Sequence, residues 1–246
     1  MHIFHFVQSI DRNSGGLRSA ILGITRSTSD LHDSTIYSLK TSHINNERKN
    51  KIQKISIFNL INIILFVLFD VKCKFLKNFL KTKSPIFHIH GMWMPIPFLS
   101  YLLSKKLNIP YVFSPHGGMM PFAFSYHNKR KRLALYFFQK AIFEEAQLII
   151  VASEYEAESI RKYFKNKKII IIPHGILLPK NNIIHKQNSK RICLYLGRVN
   201  QSKGIRELLN AWIKLSPKNW ELHIAGNADQ KEYLNKLKTI INEKND

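Results

Sequence analysis

Leu194-Tyr195-Leu196-Gly197-Arg198-Val199-Asn200-Gln201-Ser202-Lys203-Gly204 is an apolar run that ends at a glycine, followed by an arginine and then by a Lys-Gly pair just ahead of a helical pattern. As strand, loop and helix, it directs two cations, Arg198 and Lys203, and a helix N-terminus at one point, an arrangement suited to a diphosphate. Arginine makes paired hydrogen bonds to phosphate oxygens, and lysine adds a point charge. A cation at a helix N-terminus is unfavourable by roughly a few tenths of a kcal/mol unless an anion is present. The plainer reading is a solvated loop with two exposed cations, offset by Glu207 one turn into the helix.

Outward from this stretch the same alternation recurs. Downstream the pattern predicts a helix over 205–215, a strand over 221–225 and a helix over 230–241. Upstream it predicts strands at 2–7, 35–39, 86–90, 111–114, 148–152 and 169–172. Helices are expected over 17–27, 97–107, 128–146 and 154–164, with one or two more within 55–80, and 43–54 reads as a polar loop. In the 128–146 helix, Leu133, Tyr136, Phe137 and Ala141 form the expected apolar face. Strands alternating with helices give an α/β protein with parallel sheets covered on both faces. The polar, aperiodic stretch 179–190 reads as a linker between a domain at 1–178 and a second, partial one at 191–246. The second is about half the ~100 residues that a doubly wound domain needs, so the sequence predicts a C-terminally truncated domain.

The chain has 246 residues, 45% of them apolar, and a formal net charge of +22. That charge favours phosphate-bearing partners: nucleic acid, anionic lipid or a phosphorylated ligand. No helix-turn-helix, zinc-finger or RNA-binding signature accompanies it, which argues against nucleic acid. Cys73 and Cys193 stand far apart in apolar surroundings, as buried free thiols of a reducing compartment. No signal peptide is visible, and the apolar segment 57–71 is interrupted by Asn59, Asn62 and Asp70 and is shorter than the ~20 residues that span a bilayer.

Ligands of open α/β sheets sit beyond the carboxyl ends of the strands, where the glycines of this chain fall. Gly15-Gly16 follows the first strand, without the third glycine of a dinucleotide fingerprint. A tight turn accounts for it as well as a ligand does. His116, between Pro115 and Gly117-Gly118, is placed to face a cleft or to serve the structure. His88 and His90 share a strand face, but no third metal ligand of matching reach is evident, so no metal is expected. The basic run Lys129-Arg130-Lys131-Arg132 beside large apolar residues suits either a membrane surface rich in anionic lipid or the charged end of a core helix.

In order along the chain, Gly15-Gly16, His90-Gly91-Met92-Trp93, Ser114-Pro115-His116-Gly117-Gly118-Met119, Ile172-Pro173-His174-Gly175-Ile176 and Gly197-Arg198 with Lys203-Gly204 resemble the GT-B glycosyltransferases of family 4, or group 1, in particular bacterial enzymes that build surface polysaccharides such as lipopolysaccharide. The resemblance implies two Rossmann-like domains with the active site between them. It implies retaining transfer of a sugar from a nucleotide-sugar donor to a polysaccharide or lipid-linked acceptor. Arg198 and Lys203 would bind the donor diphosphate, Gly16 would approach the diphosphate or acceptor, and His116, the catalytic candidate, would contact the transferred sugar. The family does not generally need a metal, and the basic surface would place such an enzyme in the cytoplasm, on the inner face of the cell membrane. The paired glutamates of the family lie beyond Asp246, so impaired activity is expected. The alternative is a nucleotide- or phosphate-binding remnant, or half of a split enzyme.

Overall fold

Strand β1 (His2–Ser9) runs through the centre of the first sheet, and its side chains explain why. Phe4 and Phe6 point to one face and His5 and Val7 to the other, and all four are buried. A strand buried on both faces belongs in the middle of a parallel sheet. A computed structural model describes residues 1–11, 14–41, 50–72, 74–125, 128–165, 167–176, 191–228 and 230–243. The chain forms two compact units, Met1–Leu178 and Pro179–Asp246. The linker expected over 179–190 lies outside the described residues, as do Cys73 and positions 42–49.

The first unit holds seven parallel strands in the order β3-β2-β1-β4-β5-β6-β7. After β1 these are β2 (Asp33–Lys40), β3 (Asn50–Lys54), β4 (Pro85–His90), β5 (Tyr111–Ser114), β6 (Leu148–Val151) and β7 (Ile169–Ile171). The helices are α1 (Gly15–Ser27), α2 (Ile57–Phe69), α3 (Lys77–Leu80), α4 (Pro95–Leu107), α5 (Pro121–Ser125), α6 (Asn128–Ala134), α7 (Lys140–Glu145) and α8 (Glu154–Arg161). On one face Phe4, Phe6, Tyr37, Phe79 and Phe87 make an aromatic core, with Phe4 and Phe79 edge-to-face at 4.8 Å. On the other, Val7 and Ile36 pack with Ile21 and Leu22 of α1.

Two expectations are corrected. The stretch 50–54 is a strand rather than part of a loop: β3 pairs with β2, and its one apolar residue, Ile52, stands opposite Ile36 and packs on the core under α1. An edge strand needs only one inward side chain, so the hydrophobic pattern does not reveal it. The helix expected over 128–146 is α6, a π-helical turn (Leu135–Gln139) and α7. Of its expected apolar face, Leu133, Tyr136 and Phe137 are 62%, 74% and 61% exposed. The buried residues are Gln139, Ile142, Phe143 and Ala146. The segment carries apolar residues on two faces at helical spacing, and only one face can meet the sheet.

The second unit pairs β8 (Arg191–Leu196) with β9 (Trp220–Ala225), also in parallel. Helices α9 (Ile205–Leu215) and α10 (Lys231–Asn242) supply Ile205, Leu209 and Leu237 to its core. Along β8, Tyr195 packs against that core, while Leu194 and Leu196 on the opposite face are exposed. The ends of the two strands approach closely: a Cβ at Gly226, whose φ is +151°, would lie 1.7 Å from the Gly197 carbonyl oxygen. Gly226 thus has a packing role at the strand ends.

Candidate functional site

In the first sheet the chain winds one way from β1 to β3 and the other way from β4 to β7. Its switch point is therefore the carboxyl edge between β1 and β4, where open α/β sheets hold ligands. Three loops meet along this edge.

After β1, Gly15, the first residue of α1, takes φ +57°, a conformation that strains any L side chain, and Gly16 follows it in the first turn. A Cβ at Gly16 would meet nothing within 4 Å, so packing inside the chain does not account for this glycine. After β4, Gly91 turns at φ +83° and its amide donates to the Ser114 carbonyl at 2.8 Å. After β5 the chain enters Pro115-His116-Gly117-Gly118, and His116 itself sits at φ +50°. For a non-glycine residue that costs on the order of 1–2 kcal/mol, so the surroundings must hold it.

Two clamps do so. Glu156, buried at the start of α8, accepts hydrogen bonds from the Gly117 amide at 2.5 Å and the Ala152 amide at 3.0 Å. Its own amide donates to the N-cap hydroxyl of Ser153 at 3.3 Å. Trp93 donates its indole N–H to the Gly118 carbonyl at 3.2 Å. A Cβ at Gly118 would lie 2.7 Å from Met92 Sδ, so this glycine lets the loops after β4 and β5 pack together. Sequence reasoning missed Glu156. Its trace was the Ser153-x-x-Glu156 pattern of a helix start, except that here the carboxylate reaches across to a neighbouring loop.

Beneath α1 lies a cavity of about 380 Å³ lined by Ala20, Gly23, His88, His116, Glu156 and His174 among others. Histidines run inward from it. His116 Nε2 hydrogen-bonds His90 Nδ1 at 2.9 Å, and His90 Nε2 hydrogen-bonds His5 Nδ1 at 2.9 Å. His88 Nε2 bonds the Ser114 hydroxyl at 2.8 Å. The ring of His174 stacks on that of His116, centroids 5.8 Å apart. Burial strips water from these rings and disfavours the imidazolium. The His5 pKa falls to about 3 and that of His116 to about 4, while His88 and His90 lie well below the usual 6.5. All four are neutral at pH 7.

The expectation that no third metal ligand reaches His88 and His90 is corrected. His5, in register with His88 on the adjacent strand, brings a ring nitrogen within 4.8 Å of theirs. In this structure His5 Nδ1 and His90 Nε2 are hydrogen-bonded to each other, and His88 Nε2 to the Ser114 hydroxyl.

The second unit holds Arg198 and Lys203, both exposed, on the loop after β8. Asn200 accepts from the Ser202 amide at 2.9 Å and opens a single 3-10 turn, Gln201–Lys203. Gly204 (φ +66°) then leads into α9, whose N-terminus has no side-chain cap. Glu207, in the first turn of α9, meets Arg206 at 3.5 Å, both side chains exposed. The structure thus brings Gly16 and His116 to one edge of the first sheet and Arg198 and Lys203 to one loop of the second unit.

A sequence model of Glycosyltransferase Family 4 matches residues 14–178. The chain belongs to glycosyltransferase family 4. Among solved structures it is similar to sucrose-phosphate synthase from Thermosynechococcus elongatus, at 19% identity and TM-score 0.64, over 100% of this chain and 68% of that one. A glycosyltransferase from Rickettsia africae ESF-5 aligns at 17% identity and TM-score 0.59, over 99% of this chain and 65% of that one. Anabaena HepE, crystallised with UDP-glucose, aligns at 14% and 0.63, over 99% and 66%. The family 4 chain has the GT-B α/β fold of these proteins and spans about two thirds of their lengths, 65–68%. No curated protein matches the sequence.

Proposed function

We propose that this chain transfers a sugar, with retention of anomeric configuration, from a nucleotide-sugar donor to a polysaccharide or lipid-linked saccharide acceptor. The observation that carries the reading is the carboxyl edge of the first sheet, where Gly16 and a clamped, neutral His116 adjoin an open cavity in a family 4 chain. His116 contacts the transferred sugar, and Gly16 allows close approach of the acceptor or diphosphate. Arg198 and Lys203 bind the donor diphosphate. Charge builds on that group as the glycosidic bond breaks, and fixed cations act where charge develops. In this scheme the two cations replace a metal.

Among the described residues no helix is long and apolar enough to cross a membrane. The exposed Tyr136 and Phe137, edge-to-face at 5.2 Å beside exposed Lys129 and Arg132, favour peripheral contact with anionic lipid on the cytoplasmic face. The bare face of β8 at Leu194 and Leu196 favours a second reading, in which this chain works as part of a larger assembly whose further α/β structure covers that face.

The test is turnover of the purified chain over a panel of nucleotide sugars, with donor affinity measured for Arg198→Ala. Loss of one phosphate-binding arginine should weaken binding at least about 10-fold, a charge-assisted bond being worth ~1.5–3 kcal/mol. Unchanged affinity would make the diphosphate assignment wrong.

A further inference from the structure

The sequence gives no reason for a second and third histidine behind His116, yet the fold joins them. His5 from β1, His90 from the end of β4 and His116 from the loop after β5 form one chain through two hydrogen bonds of 2.9 Å. His5 and His90 are both almost fully buried, with 1% of their surface exposed. Each neutral imidazole carries a single N–H, with the other nitrogen an acceptor. Three neutral rings in a row therefore have only two arrangements, and all three tautomers change together.

In one arrangement His116 donates from Nε2 to His90, and His90 donates from Nε2 to His5. His5 then carries its proton on Nε2. That nitrogen is buried and has no hydrogen-bond partner, so this arrangement strands an N–H in the core, which folded proteins rarely accept. In the other, His5 donates from Nδ1 to His90 and His90 donates from Nδ1 to His116 Nε2. The unpartnered atom is then a bare ring nitrogen, and the last proton of the chain sits on His116 Nδ1. His116 lines the cavity, and Nδ1 is its one ring nitrogen outside the chain.

We propose that His5 and His90 are positioning residues that fix His116 as its Nδ1–H tautomer, so that this ring presents a hydrogen-bond donor to a ligand oxygen in the cavity. The inward bond also fixes the ring's rotation. An unlinked histidine would have to select both tautomer and rotamer at each binding event. A sugar hydroxyl or ring oxygen accepts from such a donor. The proposal rests on His116 being the sugar contact.

The tautomer can be read without donor or acceptor, by long-range 1H–15N correlation spectra of the full chain labelled with 15N-histidine at pH 7.5. His116, assigned by its loss in His116→Gln, should show a protonated Nδ1 and an unprotonated Nε2. In His90→Phe, which keeps a ring but cuts the chain, His116 should shift toward the Nε2–H form that an unconstrained histidine prefers. A merely structural role for His90 would leave the tautomer unchanged. An Nε2–H form at His116 in the unsubstituted chain overturns the proposal even if the variant fails to fold. The predicted tautomer in a chain that turns over no nucleotide sugar would support the proposal and count against the transfer reading instead.

Discussion

Lowering the pH from 7.5 to 5.5 should remove a large part of the stability of the first unit. His5, His88, His90 and His116 are held neutral by burial, with folded pKa values of about 3 for His5, about 4 for His116, and well below 6.5 for the other two. In the unfolded chain each titrates near 6.5, so between that value and the folded value the unfolded state binds more protons. The stabilisation is therefore fully present above pH 6.5 and is lost as pH falls toward the folded values. By this linkage a ring whose folded pKa lies below this range loses roughly 1 kcal/mol between pH 7.5 and 5.5, and four such rings together lose several kcal/mol. That is a large part of the stability of a typical domain, ~5–15 kcal/mol. Carboxylates have scarcely begun to protonate at pH 5.5, so the fall belongs to histidine. Trp93 is the tryptophan of the first unit, and Trp212 and Trp220 lie in the second. Urea denaturation of a Trp212→Phe/Trp220→Phe chain, followed by fluorescence, would therefore report the first unit alone. A loss under about 1.5 kcal/mol over this range would refute the reasoning, because it would require at least three of the four rings to accept protons as readily folded as unfolded.

Other expectations concern single side chains. Glu156→Gln places an amide N–H₂ against one of two backbone donors, and should cost about 2–3 kcal/mol in urea denaturation. Gly226→Ala drives a Cβ into the Gly197 backbone and should lower the stability of the second unit by at least about 2 kcal/mol, read by thermal melting. Gly16→Ala has open space around the new methyl group and should leave stability within about 1 kcal/mol while lowering sugar transfer. Replacing both Tyr136 and Phe137 by aspartate should reduce co-flotation with anionic vesicles and leave the melting temperature nearly unchanged, since both rings are solvent-exposed.

The alternation of strands and helices was legible because parallel strands such as Leu148–Val151 are unbroken apolar runs. The Arg198–Gly204 loop was legible for the same reason, as its strand and helix flanks are strongly patterned. β3 was hidden because Asn50–Lys54 has a single apolar residue, Ile52, which packs on the core. The exposed aromatic face at Tyr136 was misassigned because helical spacing marks an apolar face without saying which of two faces meets the sheet. His5 and Glu156 were invisible as site residues for a different reason. Each acts on His116 or its loop across a long sequence separation, His5 through His90 and Glu156 through Gly117, and only strand order brings such positions together.

The two outer strands of the seven-stranded sheet differ in how they meet solvent. β3 carries Lys51 and Lys54, which discourage another strand from pairing with it. β7 is three isoleucines, with Ile170 and the following Ile172 partly exposed, and its charge stands just ahead at Lys167 and Lys168. Those two lysines stand where gatekeepers would, beside this apolar rim of the described sheet. Their neutralisation would remove the charge nearest the β7 rim and favour edge-to-edge pairing there, whatever net charge the rest of the chain carries.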